Sequence, residues 1–267
     1  MTEAGADGVR CEFDGAVLHL ILDRPEMGNA LRGQDCVDAV AILDAVDRKG
    51  DARAVLIRGE GKHFCTGADL VSANDPDGKP RVGHLARSLA AGPHRLISAL
   101  WNCPVPTISM VHGRAMGLGM HLAVACDFTV AAESAQFTAP FRSRGFSVDS
   151  GGSFLLQRLV GLRRARQLLL RGITIDGSTA ADWGLVDTAV PAQSLLAEAN
   201  SLAAELAAGP TFSLGHTKRL LNRFGSGGID DALTAEAASV EVTVRSGDFK
   251  EGLRAFAERR EPRFDGN

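Results

Sequence analysis

An imidazole, a carboxylate and a thiol have surroundings in this sequence that invite a chemical reading. His121 lies in GRAMGLGMHLAVAC (Gly113 to Cys126), where small residues feed an apolar, helix-spaced run. Its ordinary pKa near ~6.5 suits proton transfer at neutral pH. The alternative is a histidine satisfied by a backbone carbonyl beneath the helix. Asp149, in RSRGFSVDSGGSF, sits in a Ser/Asp/Gly-rich loop, where the plain reading is a turn or an N-cap for the helix that opens at GGSF. Cys65 shows no base partner and reads as a small core residue. Asp69 reads as structural, fixing its loop by accepting backbone N–H bonds. His94, upstream of CPVPT, reads as an exposed histidine on a helix.

The elements that position these groups follow from apolar periodicity. AVLHLIL (Ala16 to Leu22) and AVLI (Ala54 to Ile57) are short apolar runs, and between them Val37, Val40, Leu43 and Val46 recur at helical spacing. That pattern predicts strand, helix, strand. TISMV (Thr107 to Val111) and DFTVA (Asp127 to Ala131) predict further strands, separated by a loop feeding the helix of His121. Such alternation belongs to an α/β domain. Ser72 to Gly83 combines Pro, Gly and charge without periodicity, and predicts a mobile loop suited to a lid. After about Val190 helical patterns take over, with Phe249, Leu253 and Phe256 forming a stripe. Residues 1–195 are therefore expected to form the core and residues 196–267 a helical C-terminal unit.

A chain of 267 residues with 45% hydrophobic content can bury one substantial core. The net charge of −3 is spread over mixed signs, with no basic face dense enough to track nucleic-acid phosphates. The five cysteines form no CxxC pair and no zinc-spaced cluster, so reduced thiols in the cytoplasm are expected, without a metal. The N-terminus lacks a basic region followed by an apolar stretch, and no run approaches the ~20 apolar residues of a membrane span.

Seven segments resemble the crotonase (enoyl-CoA hydratase/isomerase) superfamily, in family order and spacing. They are LDRPEMGNAL (Leu22 to Leu31), GKHFCTGADL (Gly61 to Leu70), VHGRAMGLGMHLAVACD (Val111 to Asp127), AAESAQFTAP (Ala131 to Pro140), RLVG (Arg158 to Gly161), ADWGLVD (Ala181 to Asp187) and FAERREPRF (Phe256 to Phe264). The resemblance implies an α/β spiral of ββα units with a helical C-terminal trimerisation unit, assembled as a homotrimer or homohexamer. It also implies an acyl-CoA thioester as substrate, coenzyme A entering only as part of it, and no separate cofactor. By motif position the backbone N–H groups of Ala68 and Leu118 would form an oxyanion hole, holding the negative charge that develops on the thioester oxygen. Met116, Gly117 and Phe141 would line the acyl pocket. Arg24, Thr66, Ala68, Leu70 and Arg259 would contact the CoA moiety.

Two departures bear on the reaction. Family hydratases use two glutamates to place and activate water, and the matching positions here are His121 and Phe141. Leu118 also stands where the family commonly has glycine. Asp149 matches an aspartate that acts as base or nucleophile in dienoyl-CoA isomerases and chlorobenzoyl-CoA dehalogenases. His94 falls near a dehalogenase histidine, about one turn out of place. His121 and Asp149 are thus the catalytic candidates, for isomerisation or substitution rather than ordinary hydration. A non-catalytic CoA-ester binder is the rival. A serine peptidase of similar fold is disfavoured, because Ala115 and Met116 stand where its nucleophile is required.

Overall fold

The computed structural model describes residues 8–69, 82–224 and 228–267. Strands β1 (Val9–Asp14) and β2 (Val17–Leu22) form a hairpin, followed by α1 (Gly33–Lys49) and β3 (Ala54–Gly59). Helices α2 (His84–Ala91) and α3 (Pro93–Trp101) lead to β4 (Thr107–Val111), β5 (Arg114–Met116) and α4 (Leu118–Val124). Next come β6 (Phe128–Ala132), β7 (Gln136–Thr138), α5 (Gly152–Arg166), β8 (Thr174–Asp176), α6 (Gly177–Trp183) and β9 (Thr188–Val190). The chain closes with α7 (Leu195–Ala208), α8 (Thr211–Phe224), α9 (Ile229–Thr243) and α10 (Gly247–Glu258).

The strands make a six-stranded sheet ordered β1-β2-β3-β4-β6-β9 and a three-stranded sheet ordered β5-β7-β8. In the large sheet only the β1–β2 pair is antiparallel. β2 and β4 are buried along their whole length, as continuous apolar runs require when both faces of a parallel sheet are covered. α7 covers one such face, packing across β2, β3, β4 and β6. The chain alternates between the sheets, β4 then β5 then α4, β6 then β7 then α5, which is the expected repeat of two strands and a helix. Isolated bridges Leu31↔Ala68 and Cys65↔Ala115 carry the small sheet's pairing toward α1.

The strand, helix, strand reading of residues 16–57 is realised in β2, α1 and β3. One detail differs: Val37 faces solvent, and the buried stripe of α1 is Cys36, Ala39, Val40, Leu43 and Val46. The loop expected at Ser72 to Gly83 lies almost wholly outside the described residues. Among the described residues no helix is long and apolar enough to cross a membrane. The Phe249, Leu253 and Phe256 stripe forms on α10 and stands exposed in the single chain.

Two buried hydroxyls fix α4 over the sheet. Ser109 Oγ and Thr129 Oγ1 each donate to the Ala123 carbonyl, at 2.9 and 3.0 Å, tying the last turn of α4 to β4 and β6. Its first turn is thereby aimed at the end of the small sheet.

Candidate active site

The segment after β3 is clamped on both sides. Leu31 N donates to Gly67 O (2.8 Å) and Asp69 N to Leu31 O (2.9 Å), which turns the N–H of Ala68 away from Leu31. On the other side Cys65 N donates to Arg114 O (3.0 Å) and Met116 N to Cys65 O (2.9 Å). The Ala68 N–H therefore points toward β5 just where β5 ends. Gly117 then adopts φ 52, ψ −119, a conformation reserved for glycine, and Leu118 opens α4. The left-handed turn falls on Gly117, so Leu118 needs no glycine there and its N–H is delivered by ordinary helical backbone.

Gly67, with φ 107, is the hinge between the two donors: a β-carbon there would stand 2.8 Å from Met116 O and 3.8 Å from Leu118 N. A β-carbon on Gly119 would collide with the Cys65 carbonyl, so α4 can sit this close only on glycine. Among the described residues neither the Ala68 N–H nor the Leu118 N–H donates to a protein acceptor. Two adjacent, uncommitted backbone donors are the arrangement that binds an oxyanion.

Arg24 and Asp69 brace this turn from below. The Arg24 guanidinium donates to Asp69 Oδ2 from both terminal nitrogens (3.1 Å each) and to Ala30 O (2.8 Å), and lies 3.6 Å from Asp35. Asp69 thus accepts from a guanidinium, a partner that the sequence reading did not include. Arg24 lies 12% exposed, its charge matched by the two buried carboxylates of Asp35 and Asp69. Thr66 packs on the neighbouring Gly28 turn, donating to Gly28 O at 3.1 Å. Arg259 is exposed at the end of α10 in left-handed conformation, on an element apart from this turn. Leu70 lies outside the described residues.

Asn29 escaped the sequence reading. Buried in left-handed conformation (φ 57), it accepts from Arg24 N (2.9 Å) and donates to Glu60 O and His63 O (2.9 and 2.7 Å). It thereby staples the first turn to the oxyanion segment. The Gly-Asn pair of LDRPEMGNAL was the available signal, since both residues tolerate positive φ.

The acyl side is built from α4, the segment after β7 and the start of α5. Phe141 Cζ lies 4.0 Å from where a β-carbon of Gly117 would be, so its ring borders the oxyanion turn. It stacks on His121, ring centres 5.5 Å apart, and Phe146 meets it edge-on at 5.4 Å. Met116 is partly buried beside the same turn. The His121 imidazole has no accessible surface. The sequence reading makes it a catalytic candidate, and here the ring is sealed behind Phe141, Val148 and Gly152. Burial pushes its pKa down to about 4, only partly opposed by the Asp149 main-chain carbonyl. Among the described residues no hydrogen bond of ordinary geometry reaches either ring nitrogen. The ring is neutral at physiological pH.

Asp149 is half-buried just before α5. It does not serve as the helix cap: Gly151 holds that position and no side chain caps the helix. Cys65 is fully buried, and burial pushes its thiol up to about 12, consistent with a packing role. His94 is exposed on α3.

Ala68, Met116, Gly117, Leu118, Phe141 and His121 thus adjoin one another through Gly67 and Gly117, and the turn that follows Asp149 meets the His121 ring at Gly152. A cleft of about 470 Å³ opens elsewhere, at the opposite end of α4 between α5 and α8, over the Asp127–Lys218 ion pair (2.7 Å). The chemistry-bearing residues converge on the small-sheet end, not on that cleft.

Known proteins share this architecture. The family model described as "Enoyl-CoA hydratase/isomerase" matches residues 12–267. The 1,2-epoxyphenylacetyl-CoA isomerase of Escherichia coli (strain K12) is 35% identical over 251 residues, covering 94% of this chain and 95% of that protein. An enoyl-CoA hydratase of Alternaria alternata, ACTT3, is 33% identical over 254 residues, covering 95% of this chain and 84% of its own. The crystal structure of an enoyl-CoA hydratase from Polaromonas sp. JS666 superposes with a TM-score of 0.89 at 32% identity, over 97% of this chain and all of that one (100%). The protein belongs to the enoyl-CoA hydratase/isomerase, or crotonase, family.

Proposed function

We propose that this enzyme acts on an acyl-CoA thioester by forming a thioester enolate, and that it isomerises a carbon–carbon double bond rather than adding water across it. The observation that carries this reading is the substitution of a stacked, carboxylate-free pair, His121 and Phe141, at the hydratase glutamate positions, with Asp149 half-buried on the adjoining turn. Addition of water needs a water molecule held and activated by a pair of proton-transfer groups. A 1,3-proton shift needs only one base that takes a proton and gives it back.

In the proposed cycle Asp149 removes a proton from Cα of a β,γ-unsaturated acyl-CoA. The electron pair of that C–H bond forms the enolate, and its oxygen is held by the Ala68 and Leu118 N–H groups. The protonated Asp149 then returns the proton to Cγ, leaving the α,β-unsaturated thioester. No water is consumed, and the carboxylate is regenerated. Met116, Gly117 and Phe141 border the acyl group, and Thr66 with Leu70 and Arg259 is assigned to the CoA side. The name of the E. coli relative, an isomerase of an aryl-derived CoA ester, is in keeping with this class of reaction.

Incubation with a 3-enoyl-CoA, followed by the absorbance of the conjugated thioester, tests the reading. Conversion to the 2-enoyl-CoA without net hydration is expected. Formation of 3-hydroxyacyl-CoA as the main product would overturn it.

We further assign residues 196–267 to self-association as a homotrimer or homohexamer, on the strength of the exposed apolar stripe of α10. Among the described residues none of the five cysteines is joined in a disulfide, which suits a reducing compartment such as the cytoplasm.

A further inference from the structure

The turn that carries Asp149 is held in a conformation it would not adopt unaided. Ser150 (φ 50) and Gly151 (φ 79) are consecutive left-handed residues, and Ser150 bears a β-carbon. Ser150 is buried, and its hydroxyl has no hydrogen-bond partner among the described residues. Such a conformation persists only where the surroundings over-determine it.

Two side chains supply that constraint. From α3, Ile97 Cγ2 stands 3.4 Å from where a β-carbon of Gly151 would be. From α4, the Cε1–Nε2 edge of His121 lies so close to Gly152 that a β-carbon there would overlap the ring, and would stand 2.8 Å from Val148 Cγ2. Phe141, stacked on its face, fixes the plane of the ring. With no accessible surface, the imidazole is also out of reach of a substrate in this conformation.

We propose that His121 is a positioning residue, whose imidazole fixes the Ser150–Gly152 turn and through it the direction of the Asp149 carboxylate. The inference rests on the assignment of Asp149 as the proton-transferring base. A neutral imidazole carries one N–H, and the Asp149 main-chain carbonyl lies near enough to act on the ring without meeting it in hydrogen-bond geometry. A leucine would fill much of the space without a donor, whereas a glutamine keeps a donor at similar reach. A carboxylate swung aside by about 1 Å would lose most of its rate, since misplacement of that size can cost ~10²-fold.

The test compares wild type with Asp149→Asn, His121→Gln, His121→Leu and Gly152→Ala, using 3-enoyl-CoA isomerisation and the pH profile of kcat/KM, with binding of the 2-enoyl-CoA product reporting an intact site. Asp149→Asn should lose ~10²-fold or more in kcat. His121→Leu and Gly152→Ala should lose ~10- to 10²-fold in kcat with KM nearly unchanged, the signature of a misdirected base. His121→Gln should restore most of the rate and leave the pH profile unaltered. A His121→Gln loss as large as that of Asp149→Asn, with a changed pH profile, would show that the imidazole itself moves protons. Wild-type kcat in His121→Leu would show that the ring is packing alone. Retention of activity by Asp149→Asn would overturn the assignment of the base, and this inference with it, whatever the His121 variants do.

Discussion

The ring of Phe141 lies on the ring of His121, centres 5.5 Å apart and planes 18° from parallel, at the two positions that the resemblance to the family matches to the hydratase glutamates. Neither ring in this pair can act as a carboxylate, and the imidazole is buried and neutral.

Hydration of crotonyl-CoA should therefore be slow, because general acid–base catalysis typically contributes ~10²–10⁴-fold. Replacing Phe141 by glutamate should not restore it, since the stacked partner would still lack a carboxylate. Steady-state hydration assays on both proteins check this. Turnover of the Phe141→Glu variant at the level of ordinary hydratases would contradict it.

Gly67→Ala should fold and bind CoA esters yet lose ~10²-fold or more in kcat, comparable to removing one oxyanion donor. The β-carbon would meet Met116 O at 2.8 Å on a residue with φ 107, forcing apart the segments that present the Ala68 and Leu118 N–H groups. Kinetics paired with circular dichroism separate the lost rate from lost fold.

His121 should make stability depend on pH in a defined window. Its folded pKa, pushed down to about 4 by burial, lies below the unfolded value near ~6.5, so below pH ~6.5 the unfolded chain binds a proton that the fold resists. The stability of the neutral ring is complete above pH ~6.5, declines as pH falls and is gone below about 4, a drop on the order of 3 kcal/mol. Buried His19, shifted the same way by burial, adds to the slope. Urea midpoints at pH 5 and 7 should differ less in His121→Gln than in wild type. Equal differences would show that His121 does not titrate across this window.

The protein should self-associate. Leu253 and Phe256 are 57% and 85% exposed on α10, and the cleft between α5 and α8 adds Leu159 and Leu221 to the uncovered apolar surface. Light scattering at micromolar concentration should report a trimer or hexamer, and Phe256→Asp should shift it toward smaller species. A wild-type monomer would contradict the assignment.

The central parallel strands were legible in the sequence because burial on both faces leaves uninterrupted apolar runs at β2, β3 and β4. β1 carried a signal that went unused, since VRCEFD alternates apolar and charged residues at the period of a half-buried strand, whereas β7 and β8, three residues each, are too short to show a period. The candidate site was legible as positions, not as geometry. Nothing local to the sequence could show that Asp69 meets Arg24 from 45 residues away, or that Gly152 rests on His121. Such contacts arise where distant segments converge, and periodicity carries no record of them. Ser150 left no signal either, because its strain is imposed by its neighbours in space.

The most direct measurement of the enolate mechanism is exchange of the Cα proton of an acyl-CoA thioester with D2O, followed by NMR or mass spectrometry in wild type and Asp149→Asn. Wild type should exchange Cα hydrogens readily, and Asp149→Asn should exchange ~10²-fold more slowly or worse while binding the thioester with similar affinity. Equal exchange in the two proteins would contradict the role of Asp149, and no exchange in wild type would contradict enolate formation itself.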